Sequence, residues 1–398
     1  YNAAHSMVAE KFERKRHVYL DYAASTPVDE RVVQVMLPYF SQIFGNSSSV
    51  HVWGQAAEAA IEQARTTIAR LINASPREII FTSGGTESDN LAIKGVAFAR
   101  RREWGCNHLL ISPVEHPAVS QTARQLSEVF NFELEYLPVD SFGRVELSSL
   151  AVRLRKDTAL VSVIYANNEI GTINDIASIG NLCRARGIPF HTDAVQAAAH
   201  LPIDVVRENI DLLSIGSHKF YGPKGVGVLY VRQGTPILSI ITGGAHENNL
   251  RAGTHNTPYI AGIAEAFRLT QTELAQRKAR LLPLRDMLIA GVLGKVSGAY
   301  LTGHPVERLP NHASFVFEGV DGNTLLTMLD MAGFACSSGS ACKSGTPKPS
   351  EVLLAIGIPP KLALGSLRVT LGVDTSEDDV QSFLQVLPSL VAKCRNLR

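Results

Sequence analysis

The sequence predicts an α/β protein, with a mostly parallel sheet in a large domain and a smaller α+β domain beside it in the chain. Three observations lead there. Short apolar runs alternate with helix-period segments from about residue 55 onward, the pattern of strands covered on both faces by helices. The chain has 398 residues, more than one hydrophobic core ordinarily fills. The alternation weakens near residue 258, where a long charged helical stretch begins.

The elements follow in order. Gln55 to Asn73 reads as a helix rich in Ala, Ile and Leu; Glu78 to Phe81 as a strand; Thr86 to Arg101 as a helix. His108 to Ser112 is a strand followed by a helix from Pro117. Leu160 to Tyr165 is a strand and Asp175 to Arg186 a helix. Pro189 to Thr192, Leu212 to Ile215 and Gly227 to Val231 complete the strand set. One helical stretch runs from Pro258 to about Leu293, and the domain boundary falls inside it. Ala313 to Phe317, a Gly/Ser-rich segment at Cys336 to Gly345, and an amphipathic helix from Glu377 follow. The expected division is 29–275 for the large domain, with 7–28 and 276–398 in the small one. Residues 1–6, ahead of Met7, read as a cloning remnant.

Composition narrows the function classes. Lys and Arg number 38 against 37 Asp and Glu, a formal net charge of +1. That balance gives no reason to expect nucleic acid or an anionic membrane as partner. The basic run from Lys11 to Arg16 reads as a solvated stretch. No apolar run reaches the roughly 18 residues of a membrane helix. Five cysteines, an odd and sparse set without a C-x-x-C pair, argue against a disulfide framework and for a reducing compartment, the cytoplasm. Cys336 and Cys342 are six apart, not a usual zinc spacing, and no metal site is expected.

Three segments carry chemistry. In Ser214 to Gly225, Lys219 follows an apolar strand, where open α/β sheets bind ligands. A lysine there can form a Schiff base, or can be an exposed loop lysine. Asp193, in His191 to Gln196, lies 26 residues earlier; it suits a pyridinium nitrogen or, equally, caps the next helix. Thr82 to Glu87 links a strand to a helix, as a phosphate cradle or as a capping box formed by Thr86 and Asp89. Together, in this order and at strand ends, they point to pyridoxal 5'-phosphate.

With these segments stand Leu20 to Ala24, Phe81 to Asn90, Glu115-His116, Asn167 to Gly171, Ser217-His218-Lys219 and Ser337 to Cys342. In this combination the chain resembles the cysteine desulfurases of the NifS/IscS-like group, in the class V aminotransferase family, from about Val18 onward. The resemblance implies the fold of the type I pyridoxal-phosphate-dependent transferases. Lys219 matches the cofactor lysine, Asp193 the residue at the pyridine nitrogen, Gln196 and Asn168 those at the phenolic oxygen. His116 matches the imidazole stacked on the ring. Gly85, Thr86 and His218 match phosphate ligands, with Ser217 added as a nearby hydroxyl. Thr254 matches a phosphate contact given by the other subunit, which implies a homodimer. Arg368 matches the arginine that grips the substrate carboxylate. Cys342 matches the nucleophile that takes sulfur from L-cysteine as a persulfide, and the segment around it resembles the class I type. A sulfur-acceptor protein, either an iron–sulfur scaffold or a sulfur relay, is implied as partner. Cys336, after an apolar stretch, reads as packed rather than reactive.

Selenocysteine lysis, another pyridoxal-phosphate reaction and a non-catalytic scaffold are the alternatives. Cys342 argues against transamination, and the set of Lys219, Asp193 and Cys342 argues against a scaffold. The chain also departs from the family's pattern. Gly216 stands where a serine is usual, with Ser217 one place later. Gly244 to Asn249 lacks the usual arginine, Asn248 standing there. The sequence stops at Arg398, where housekeeping members continue into a tail that docks the scaffold protein, so that partner stays open.

Overall fold

The computed structural model describes residues 17–339 and 348–397. Cys342 and Lys343 lie outside the described residues, as does the basic run from Lys11 to Arg16. The chain packs as two compact units: Ser25–Asn168 with Thr172–Ala275, and the N-terminal segment to Ala24 with Glu169–Gly171 and Gln276–Arg398.

The larger unit is built on seven strands: β1 (Ile79–Thr82), β2 (His108–Ile111), β3 (Glu133–Tyr136), β4 (Thr158–Ser162), β5 (Phe190–Asp193), β6 (Leu212–Gly216) and β7 (Gly227–Val231). Their order is β1-β7-β6-β5-β4-β2-β3. The pairs β6–β5, β5–β4, β4–β2 and β2–β3 are parallel, whereas β7 runs antiparallel to both its neighbours. The interior strands are buried along their whole length, and most of them read as apolar runs rather than as alternation.

Helices α1 (Val52–Leu71), α2 (Gly85–Trp104), α3 (Pro117–Phe130), α4 (Ile176–Ala185) and α5 (Thr257–Thr272) cover the sheet and one another. Buried Ala57, Ile61, Ala64 and Ile68 recur every three or four residues on α1, one face of a helix. α2 stops at Gly105, whose left-handed φ of 68° turns the chain and whose N–H closes on Arg100 and Arg101. The single helix expected from Pro258 to Leu293 is two. α5 ends at Glu273 and a second helix runs Leu274–Lys295. The first is buried on almost every side and the second along one stripe, Leu281, Leu284, Leu288 and Val292, so the two serve different cores.

The smaller unit has a three-stranded antiparallel sheet, with His312–Phe317 between Ser366–Thr370 and Ala299–Leu301. Val18–Tyr19 pairs in parallel with Phe334–Ala335. Phe315, Phe317, Leu367 and Val369 pack with Leu325, Leu329, Phe383 and Leu387 into its core. The last helix, Glu377–Asn396, opens on a capping box between Ser376 and Asp379.

Candidate active site

The carboxyl ends of β1, β2, β4, β5 and β6 lie on one edge of the large sheet, where an open α/β sheet presents its loops to a ligand. The turn after β1 opens α2, the turn after β2 carries Glu115 and His116, and Asn168 follows β4. Asp193 ends β5, and Lys219 closes the 3₁₀ turn after β6. Helix α2 has Gly84 as its N-cap with no side-chain cap, so its first-turn N–H groups meet no capping oxygen. The capping box, the alternative to a phosphate cradle at this turn, does not form. Glu87 takes the Ser83 N–H at 2.8 Å and pairs with Arg251 at 2.9 Å, while Asp89 is buried.

Gly85 and Gly216 approach closely here. A Cβ on Gly85 would stand 2.6 Å from Val195 Cγ2, and one on Gly216 would stand 3.5 Å from the Gly85 nitrogen. Ser217 begins the 3₁₀ turn after β6. Its buried hydroxyl has no hydrogen-bond partner among the described residues and lies 2.0 Å from where a Gly222 Cβ would be.

His116, Asp193 and Asp89 place one ligand-type atom each within 4.8 Å of one another. His116 caps α3, its Nδ1 accepting from the Ala118 N–H at 3.1 Å, which leaves the proton of the neutral ring on Nε2. Burial lowers the His116 pKa, Asp193 pulls it up and Lys219 lowers it further. Burial raises Asp193 to about 6, helped by the charge of Asp89 and opposed by His116 and the Val195 N–H at 2.9 Å. His191, two residues before Asp193, is bracketed by Ser162 Oγ at 2.8 Å and Ser214 Oγ at 3.0 Å, and burial pushes it down to about 4. His218 is also pushed down to about 4, by burial first and then by Lys219, Lys224 and His116. Gln196, three residues after Asp193 in the chain, is buried, and Thr254 is exposed on the loop before α5.

That loop is fixed by Glu247, whose side chain is 1% exposed. Its carboxylate accepts from Arg65 twice at 2.8 Å, from the Phe81 N–H at 2.7 Å and from His255 Nε2 at 2.6 Å. Asn248 stands in place of the usual arginine; its side chain donates to the Arg77 carbonyl at 3.1 Å.

In the smaller unit, Arg368 donates to Asp21 at 2.8 Å, and Ser337 donates to the other oxygen of Asp21 at 2.8 Å. Glu169 accepts from Ser350 at 2.5 Å and lies 2.5 Å from where a Gly339 Cβ would be, so one carboxyl group touches both flanks of 340–347. Cys336 packs against the core, and burial, then Asp21, pushes its thiol far above the ordinary value.

The model of the aminotransferase class-V family matches residues 18–383. The chain belongs to the class-V aminotransferase family. Within it the chain groups with the cysteine desulfurases. It is 48% identical over 383 residues to cysteine desulfurase IscS of Dictyoglomus turgidum, covering 96% of both chains. Among solved structures, a NifS-like protein superposes with a TM-score of 0.88 at 35% identity, over 95% of this chain and 100% of that one. SspA in complex with cysteine superposes at 0.76 and 36% identity, over 89% and 98%. Sequence reasoning missed Asp89, His191 and Glu247. Asp89 sits on the second turn of α2, where an aspartate ordinarily faces water, and no local pattern marks its burial.

Proposed function

We propose that this cysteine desulfurase holds pyridoxal 5'-phosphate at the strand ends of its larger unit and converts L-cysteine to L-alanine, with the sulfur taken by Cys342. The observation that carries the reading is the convergence of His116, Asp193 and Lys219 beside an uncapped helix N-terminus. The residues fit the cofactor. Gly85 and Thr86 offer N–H groups to a phosphate, Asp193 a carboxylate to the ring nitrogen, and Lys219 an amine as covalent anchor. The bound cofactor supplies an electron sink for charge developing at the substrate α-carbon.

The chain's own residues do the rest. Arg368, already paired with Asp21, takes the substrate carboxylate. Lys219 accepts the α-proton and holds it for return. His116, kept neutral by burial, carries a proton on Nε2. The Cys342 thiolate attacks the substrate sulfur: an S–S bond forms, the S–Cβ bond breaks, and the electron pair left on carbon takes a proton to give alanine. The persulfide then passes to an acceptor protein, for iron–sulfur assembly or a sulfur relay, in a reducing cytoplasm.

Thr254 is assigned to the phosphate of a second subunit, so the active form is a homodimer; its exposure supports this. Borohydride reduction followed by peptide mapping tests the anchor. The label is expected on Lys219, and a label on Lys224 overturns the assignment. A stable, fully active monomer overturns the shared site.

A further inference from the structure

Asp89 takes no part in that chemistry, yet it is the most deeply placed acid near the site, 1% exposed on the second turn of α2. It stands within 4.8 Å of Asp193 and His116, and its Oδ1 has no hydrogen-bond partner among the described residues. The neighbouring His191 Nε2 is 3.5 Å away and is directed at Ser214 instead.

We propose that Asp89 is the neutral partner of Asp193: it holds a proton, so that the two buried carboxyl groups carry one negative charge between them, and that charge rests on Asp193. Two carboxylates this close and this buried do not both ionise. Asp193 is the better seat for the charge, since it accepts the Val195 N–H and faces the His116 imidazole. Asp89 would leave a charged oxygen without a donor, the costlier arrangement in a dry interior. The other groups facing the pair do not supply a compensating charge at Asp89. From β5, His191 is held neutral by burial; from β6 and β4, Ser214 and Ser162 are hydroxyls. Ahead of α3, Glu115 is itself driven toward its neutral form by burial and by Asp193, with one oxygen taking the Ile164 N–H at 2.6 Å. Lys219 acts on His116. Burial raises Asp89 to about 7 against the pull of Ser214.

Asp89 is therefore a positioning residue. It limits the charge behind the cofactor ring to the single one that a ring nitrogen can pair with. The inference rests on Asp193 as the residue at that nitrogen, so the test begins on the cofactor-free dimer. Infrared difference spectra at about pH 6 should show a protonated-carboxyl band that Asp89→Asn removes and that fades as pH rises through about 7. Glu115→Gln identifies the second such band. Pyridoxal phosphate affinity, read by fluorescence, should stay within about threefold in Asp89→Asn at neutral pH, because an amide imitates the neutral acid. It should also lose the alkaline weakening of the wild type. No Asp89-dependent band overturns the proposal. So does an affinity loss of about tenfold or more in an Asp89→Asn protein with an unchanged melting temperature. If Asp193→Asn instead leaves the affinity unchanged while the Asp89 band persists, the reading of Asp193 fails and the carboxyl pair stands.

Discussion

Replacing Glu247 with glutamine should destabilise the larger unit more than almost any other isosteric change in it. Three residues in succession, Glu247, Asn248 and Asn249, hold left-handed φ values of 47°, 55° and 64°. Asparagine tolerates that region, whereas for glutamate it costs about 1–2 kcal/mol. The carboxylate holds the turn in place. Burial alone would raise its pKa, but Arg65, His255 and the Phe81 N–H bring it from 4.5 down to about 2. At about 1.4 kcal/mol per pH unit, that pairing contributes about 3 kcal/mol. Glutamine would also leave Arg65 buried without its counter-charge, a change of about 3–5 kcal/mol in comparable pairs. Calorimetry of wild type and Glu247→Gln should therefore show a drop of about 6–12 °C at neutral pH. Because the folded pKa lies below the unfolded one, the contribution is complete above about 4.5 and is lost as pH falls through about 2. The gap between the two proteins should narrow over that window. A drop under about 2 °C at neutral pH would refute the reasoning, since a buried, fourfold hydrogen-bonded carboxylate cannot then be holding the turn.

Three further outcomes are expected. Cys336→Ala should keep most of the activity, and iodoacetamide should modify Cys342 well before Cys336, whose buried thiol resists ionisation; preferential labelling of Cys336 would reverse the assignment. Gly216→Ser should slow the loss of pyridoxal phosphate on dialysis, because the new side chain would start 3.5 Å from the Gly85 nitrogen; faster loss would mean that Val195, 3.3 Å away, cannot give. Gly222→Ala should lower stability by about 1–3 kcal/mol in urea unfolding, because its methyl would meet Ser217 Oγ at 2.0 Å; an unchanged midpoint would mean that the serine turns away freely.

Six strands of the sheet were legible, most of them as short apolar runs bounded by helices or turns. The seventh, Glu133–Tyr136, was not: as an exposed edge strand of Glu-Leu-Glu-Tyr it lacks the apolar run. The break at Glu273 carries no glycine or proline, whereas Pro283 lies inside a continuous helix. The helix boundary is set by which core each face meets, a long-range property. Within the site, Lys219 and Asp193 were legible as chemistry-bearing residues at strand ends, whereas His116 was marked only by the resemblance to the family. Asp89 and His191 are polar residues whose burial depends on the packing of α2 over β5, so their roles emerge only from the fold. Ser217, one place past the strand end, sets its hydroxyl against Gly222, a placement that depends on the turn and not on the local pattern.

The central claim is that sulfur leaves L-cysteine for Cys342. It is tested most directly by mixing the cofactor-loaded protein with L-cysteine, digesting without reductant, and measuring peptide masses together with alanine. The account predicts one added sulfur on the peptide bearing Cys342, in step with alanine, and neither product in Cys342→Ala. Alanine formed at the wild-type rate by Cys342→Ala, or the added sulfur on Cys336, would contradict it.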